Sequence, residues 1–335
     1  MKTLREIGEF GLLAHLGVDN GKLPQGWLGP GDDCALIPIG DETLAITADI
    51  LIEGVHFRLA TTSAADLGYK ALAASLSDLA SMGATPLAST LSIALPFSTD
   101  IGWIEDFYSG IKCCADEYRC HLVGGDTSSG DKIFINITAL GKLNGENAPL
   151  RSGAAAGEDL WVSGTPGESR GGLLLLEGGV ESKTPALKTL IKRHTRPTPR
   201  VDLGAALAKG HLATSMIDIS DGITKDAAHI ARRSGVSVEI SIDLLPLSAP
   251  LMEGAAKLGV KEPRLLVLAG GEDYELLFTA NTKHREEVLS LGKLLGVELT
   301  RIGRATLKDD KHAVKVTNGV GDIIDLALDG FEHFK

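Results

Sequence analysis

The sequence has few aromatic residues, 4% of its 335. Rings this scarce argue against a stacking platform for single-stranded nucleic acid. Basic charge is also short, since 33 Lys and Arg face 44 Asp and Glu, a net charge of −11. No local basic patch offsets this, so phosphate backbones are repelled and nucleic-acid binding is not expected. Cysteine is limited to Cys34, Cys113, Cys114 and Cys120. No CxxC pair occurs among them, which argues against a zinc site or a disulfide framework and for free thiols in a reducing compartment. No apolar run approaches the ~18 residues of a membrane span. The opening MKTLREIGEFGLLAHLG carries Arg5, Glu6 and Glu9, an amphipathic pattern unlike a signal peptide. The expected setting is cytoplasmic, with no membrane partner.

Hydrophobic residues supply 44% of the chain, enough for a substantial core. The length suggests about two domains. LAITADI over 44–50 reads as a buried strand ending on Asp49. Ser63-Ala64-Ala65-Asp66 opens a helix that runs to Met82 and stops at Gly83. A strand follows over 86–95, then a helix over 100–118. HLVGGDTSSG reads as a strand entering a glycine turn, and KIFINITALGKL as another strand. The Gly/Ala-rich stretch 145–157 marks a boundary, giving domains 1–148 and 149–335. In the second half DLWVSG reads as a strand, TPGESRGG as a glycine loop, SMIDISDGITKDAAHIARRSG as strand, turn and helix, and RLLVLAGGEDYELLFTA as two strands around a glycine turn. Pro197 and Pro199 interrupt the helices at HTRPTPR, and His194 beside them reads as structural. The fold class is α/β (α+β) in two units.

The usual phosphate loops fail. Gly21-Lys22, Gly141-Lys142 and Gly292-Lys293 are each followed by Leu, so no P-loop exists. Gly29-Pro30-Gly31 starts like a dinucleotide fingerprint but meets Cys34 where glycine belongs. Aspartates at turns and strand ends stand in their place: Asp32-Asp33, Asp49, Asp126 after Gly124-Gly125, Asp218 and Asp221, and Asp273 after Gly270-Gly271-Glu272. Asp78 lies inside an Ala-rich helix, where a carboxylate needs a partner. Carboxylates gathered in one cleft repel unless cations join them, and Mg2+ suits hard oxygen donors.

These motifs resemble the thiamine-monophosphate kinase family of the aminoimidazole-ribonucleotide-synthetase-like superfamily. The resemblance rests on Gly31-Asp32-Asp33-Cys34-Ala35, Asp49 with Gly54-Val55-His56-Phe57, and Ala74-Ser75-Leu76-Ser77-Asp78-Leu79. It continues through Val123-Gly124-Gly125-Asp126-Thr127, Leu150-Arg151-Ser152-Gly153, Asp218-Ile219-Ser220-Asp221-Gly222 and Gly270-Gly271-Glu272-Asp273-Tyr274-Glu275. It implies two α/β domains and a homodimer paired through the N-terminal domains. The implied reaction is ATP plus thiamine monophosphate to ADP plus thiamine diphosphate, with Mg2+. By motif, Asp33, Thr47, Asp49, Asp78, Asp126, Asp218 and Asp221 would hold Mg2+ ions. Tyr108, Gly125, Asp126, Arg151 and Ser220 would contact ATP, and His56, Glu272 and Phe331 the thiamine phosphate. Ala48 departs from a hydroxyl residue found in many relatives. Another enzyme of the superfamily and a nucleotide sensor without turnover are the competing readings. A hydrogenase-maturation relative would end in a reactive cysteine, where this chain reads Glu332-His333-Phe334-Lys335. A selenophosphate-synthetase relative would carry a reactive Cys or selenocysteine with a lysine near its start, which Lys2 and Lys22 lack. A purine-pathway relative stays open, with motifs that match less completely.

Overall fold

The computed structural model describes residues 3–17, 22–143 and 148–324. The first half contains α1 (Leu4–Leu16), β1 (Ala35–Ile39), β2 (Glu42–Ile52), α2 (Ala64–Ser81), β3 (Ala84–Leu95), α3 (Ile101–Tyr118), β4 (His121–Ser129) and β5 (Phe134–Leu143). Its strands form one sheet in the order β1-β2-β5-β3-β4, antiparallel except where β4 runs parallel to β3.

The second half contains β6 (Asp159–Ser163), α4 (Glu168–Glu177), α5 (Pro185–Thr195), α6 (Val201–Lys209), β7 (Ser215–Asp218), α7 (Ile223–Ser234) and β8 (Ser237–Ser241). It continues with α8 (Ala249–Leu258), α9 (Arg264–Ala269), β9 (Leu276–Ala280), α10 (Arg285–Leu295), β10 (Leu299–Thr306) and β11 (Val314–Thr317). The second sheet has the order β11-β8-β10-β6-β9-β7.

Helix α2 is where the halves meet. Ser63 Oγ accepts the Asp66 N–H at 3.1 Å, satisfying one of the orphan donors of the first turn. The helix ends before Gly83, whose φ of 69° lies in the left-handed region glycine tolerates. Between these ends nearly every residue is buried, because α2 packs on β2, β3 and β5 on one side and on α3, α6 and β7 on others. Small residues allow such crowding. A Cβ on Gly68 would sit 2.0 Å from the Phe107 carbonyl oxygen, and one on Gly204 of α6 would sit 1.9 Å from that of Ala80. Backbone therefore meets backbone on both flanks.

Four local expectations are revised. Strand β2 continues past Asp49 to Ile52, because antiparallel pairing with β5 persists to Ile52 opposite Phe134. Gly124-Gly125 stays within β4 rather than turning, since Gly125 lies against Leu91 of β3, where a Cβ would be 1.8 Å from a carbonyl oxygen. Glu168 to Gly172 are helical in α4, and Gly172 is glycine for close packing, as a Cβ there would stand 2.1 Å from the Leu190 oxygen of α5. RLLVLA forms α9 instead of a strand; periodicity alone does not separate a short apolar run of this kind from a strand. All four cysteines are free thiols, as expected.

Candidate active site

Helix α2, strand β2 and strand β7 bring distant carboxylates together. Asp33, Asp78 and Asp218 each present an oxygen so that the three lie within 4.8 Å of one another. Each takes a hydroxyl donor. Ser81 Oγ donates to Asp33 at 2.5 Å, Ser77 Oγ to Asp218 at 2.6 Å, and Thr47 Oγ1 to Asp78. Asp49 nearby accepts from Ser75 Oγ at 2.8 Å. Three of these donors come from one helix, α2, whose rigid turn fixes where the acids stand.

Holding these groups together has an electrostatic cost. Burial, then repulsion from Asp49, Asp218 and Asp33, drives Asp78 far above the usual carboxylate range. Burial and Asp33 push Asp218 up to about 8, against the Ser77 hydrogen bond. Burial also raises Asp49. The opposing cation among the described residues is Arg151, whose guanidinium pairs with Asp33, with Nε at 3.1 Å from Oδ1. A compact set of hard oxygen donors with excess negative charge fits a divalent cation such as Mg2+.

Beside the acids lies a cavity of about 560 Å³, walled by Asp49 and His56 from the first half and by His194, Ser220, Asp221 and Glu272 from the second. His56 Nδ1 accepts the Ile52 N–H at 3.0 Å, so the neutral ring carries its proton on Nε2. Glu272 adopts a φ of 61°, uncommon for a residue with a side chain and held only where the surroundings fix the backbone. Its carboxylate is 2.8 Å from Lys70 Nζ. Burial would raise Glu272, but Lys70, through its charge and its hydrogen bond, outweighs it and holds the group below its ordinary range.

Residues 31–143 match the family described as AIR synthase related protein, N-terminal domain, and residues 155–316 match its C-terminal domain. The thiamine-monophosphate kinase of Escherichia coli K12 is 39% identical over 332 residues, covering 98% of each chain. That of Haemophilus influenzae is 38% identical over 309 residues, covering 91% of each. A solved structure of AaThiL complexed with AMPPCP and TMP superposes with a TM-score of 0.87 at 36% identity, covering 99% of both chains. The chain belongs to the thiamine-monophosphate kinase family.

Against that family's expected site, the structure brings Asp33, Thr47, Asp49, Asp78 and Asp218 to one place, with Arg151 beside them and Asp221, Ser220, His56 and Glu272 on the cavity wall. Gly125 and Asp126 do not line the cavity. They sit on β4, the exposed edge of the first sheet, where Asp126 Oδ1 accepts the Thr127 N–H at 2.9 Å. Tyr108 is likewise outside it, 39% exposed on α3 with its ring edge-on to Phe107. Phe331 lies outside the described residues.

Sequence reasoning missed several neighbours. His194, expected to be structural, lines the cavity, its Nδ1 3.2 Å from Ser169 Oγ and 3.6 Å from Glu272. Burial, Lys70 and Arg170 push its pKa down to about 3, so it stands neutral. Arg170 also lines the cavity. For Ser75, Ser77 and Ser81 a signal existed: polar residues recurring inside an Ala-rich buried helix.

Proposed function

We propose that this kinase transfers the γ-phosphoryl group of ATP to thiamine monophosphate, forming thiamine diphosphate and ADP in thiamine diphosphate biosynthesis. The convergence of Asp33, Asp78 and Asp218 beside a cavity walled by both halves carries the reading. Two anionic phosphates must approach, and Mg2+ would supply the charge neutralisation that phosphoryl transfer requires. Asp33, Thr47, Asp49, Asp78, Asp126, Asp218 and Asp221 are the residues assigned to hold it.

The chain's own part is positioning. A phosphate oxygen of the acceptor attacks the γ-phosphorus in line, and the bond to the β–γ bridging oxygen breaks as ADP leaves. No protein nucleophile is needed, and an acceptor phosphate with a second pKa near ~6 is already largely ionised at neutral pH. Arg151, with its planar fork, Ser220, Gly125, Asp126 and Tyr108 are assigned to ATP. His56, donating from Nε2, Glu272, facing the cationic heterocycle, and Phe331 are assigned to thiamine phosphate.

We read the chain as an N-terminal domain over 1–148 and a C-terminal domain over 149–335. It works as a cytoplasmic homodimer paired through the N-terminal domains. The exposed β4 edge, where Val123 is 66% accessible, supports that pairing, and among the described residues no helix is long and apolar enough to cross a membrane. The test incubates purified protein with ATP, Mg2+ and thiamine monophosphate, beside purine-pathway ribonucleotides as alternative acceptors. Thiamine diphosphate with stoichiometric ADP is the expected product. Binding without ADP would instead mark a sensor.

A further inference from the structure

We propose that Lys70 is the positioning residue for the acceptor-binding carboxylate of Glu272, fixing it from behind across the seam between the two halves. The inference deepens the reading of Glu272 given above and rests on it. Lys70 belongs to α2, and its side chain is 3% exposed, whereas Glu272 belongs to the turn before β9 and is 27% exposed. A buried lysine needs a partner, and here the partner is 2.8 Å away. Lys70 itself does not line the cavity, while Glu272 does. Lys70 therefore acts through the carboxylate and not on a ligand.

Three restraints converge on this one glutamate. Its backbone N–H donates to the Ser220 carbonyl oxygen at 2.8 Å, holding the residue in its left-handed conformation. Lys70 takes Oε1, and His194 Nδ1 lies 3.6 Å from Oε2. His194 is neutral, so it adds no competing charge. The Lys70–Glu272 pair has no net charge, which means Lys70 contributes orientation rather than attraction for a cationic ring. A carboxylate that is free to rotate would meet such a ring in a poor geometry, at a cost in acceptor binding alone.

The experiment compares Lys70→Met and the milder Lys70→Gln with the parent enzyme, using Lys70→Arg as rescue and thermal unfolding to verify folding. Loss of a positioning group shared by ground and transition states appears in KM. The neutral variants are expected to raise KM for thiamine monophosphate about tenfold while KM for ATP stays within about twofold, with Lys70→Arg within about threefold of the parent. On a Glu272→Gln background the further effect of Lys70→Met shrinks to less than about twofold, because the two residues act as a unit. An unchanged acceptor KM, a parallel rise in both KM values, or failure of both neutral variants to fold overturns the positioning role. Glu272→Gln with an unchanged acceptor KM removes the reading of Glu272 itself. Glu272→Gln with a raised KM beside silent Lys70 variants removes only the role of Lys70.

Discussion

Ser77 on α2 donates its hydroxyl to Asp218 at the end of β7 at 2.6 Å, although 141 positions separate them in the sequence. One hydrogen bond thus ties the helix of the first half to an acid of the second. Removing it in Ser77→Ala leaves a buried carboxylate oxygen without its donor, which costs about 1–3 kcal/mol. Urea unfolding is expected to show a lowered midpoint without a change in m-value.

Asp78 is crowded by Asp49, Asp218 and Asp33. Asp78→Asn relieves buried like-charge repulsion while keeping a group that Thr47 can bond. The variant is expected to melt roughly 2–4 °C above the parent without Mg2+ for each ~1 kcal/mol relieved, and to lose the stabilisation that Mg2+ gives the parent. Its turnover should fall at least about a hundredfold at matched Mg2+. Near-normal turnover would take Asp78 out of the metal set.

His56 is held by its Nδ1 contact to Ile52, which leaves Nε2–H as the donor assigned to the acceptor. His56→Ala is expected to raise KM for thiamine monophosphate about tenfold, with KM for ATP little changed. Steady-state kinetics with each substrate varied in turn checks this split.

The pKa of His194 is depressed from 6.5 to about 3 by burial and by Lys70 and Arg170. The unfolded chain then binds a proton that the folded chain refuses, so this contribution to stability is present above pH 6.5 and lost as pH falls toward 3. The slope approaches about 1.4 kcal/mol per pH unit. Asp218, raised to about 8, works in the opposite sense, its contribution fading as pH rises toward 8. Comparing the parent with His194→Gln cancels the carboxylate part. The variant should lose stability less steeply between about pH 6.5 and 5 in urea midpoints.

Much of the site was legible because its chemistry is carried by short acidic motifs. Asp33, Asp78 and Asp218 could be named from local pattern, and α2 could be placed by its Ser63 cap and by Gly83. What stayed hidden was partnership. Lys70 looks like any helical lysine until tertiary packing buries it against Glu272, and His194 beside two prolines looks like a break in a helix. The α9 segment was misread because five apolar residues after Arg264 carry no period of their own. The strand through Gly124-Gly125 was misread because glycine there answers to the Leu91 backbone, a neighbour more than thirty residues away.

The closeness of Gly204 to the Ala80 carbonyl has a consequence for the acids gathered around α2. Any side chain at position 204 would push α6 away from α2, the helix on which Ser77 rides with its hydroxyl on Asp218 across the same seam.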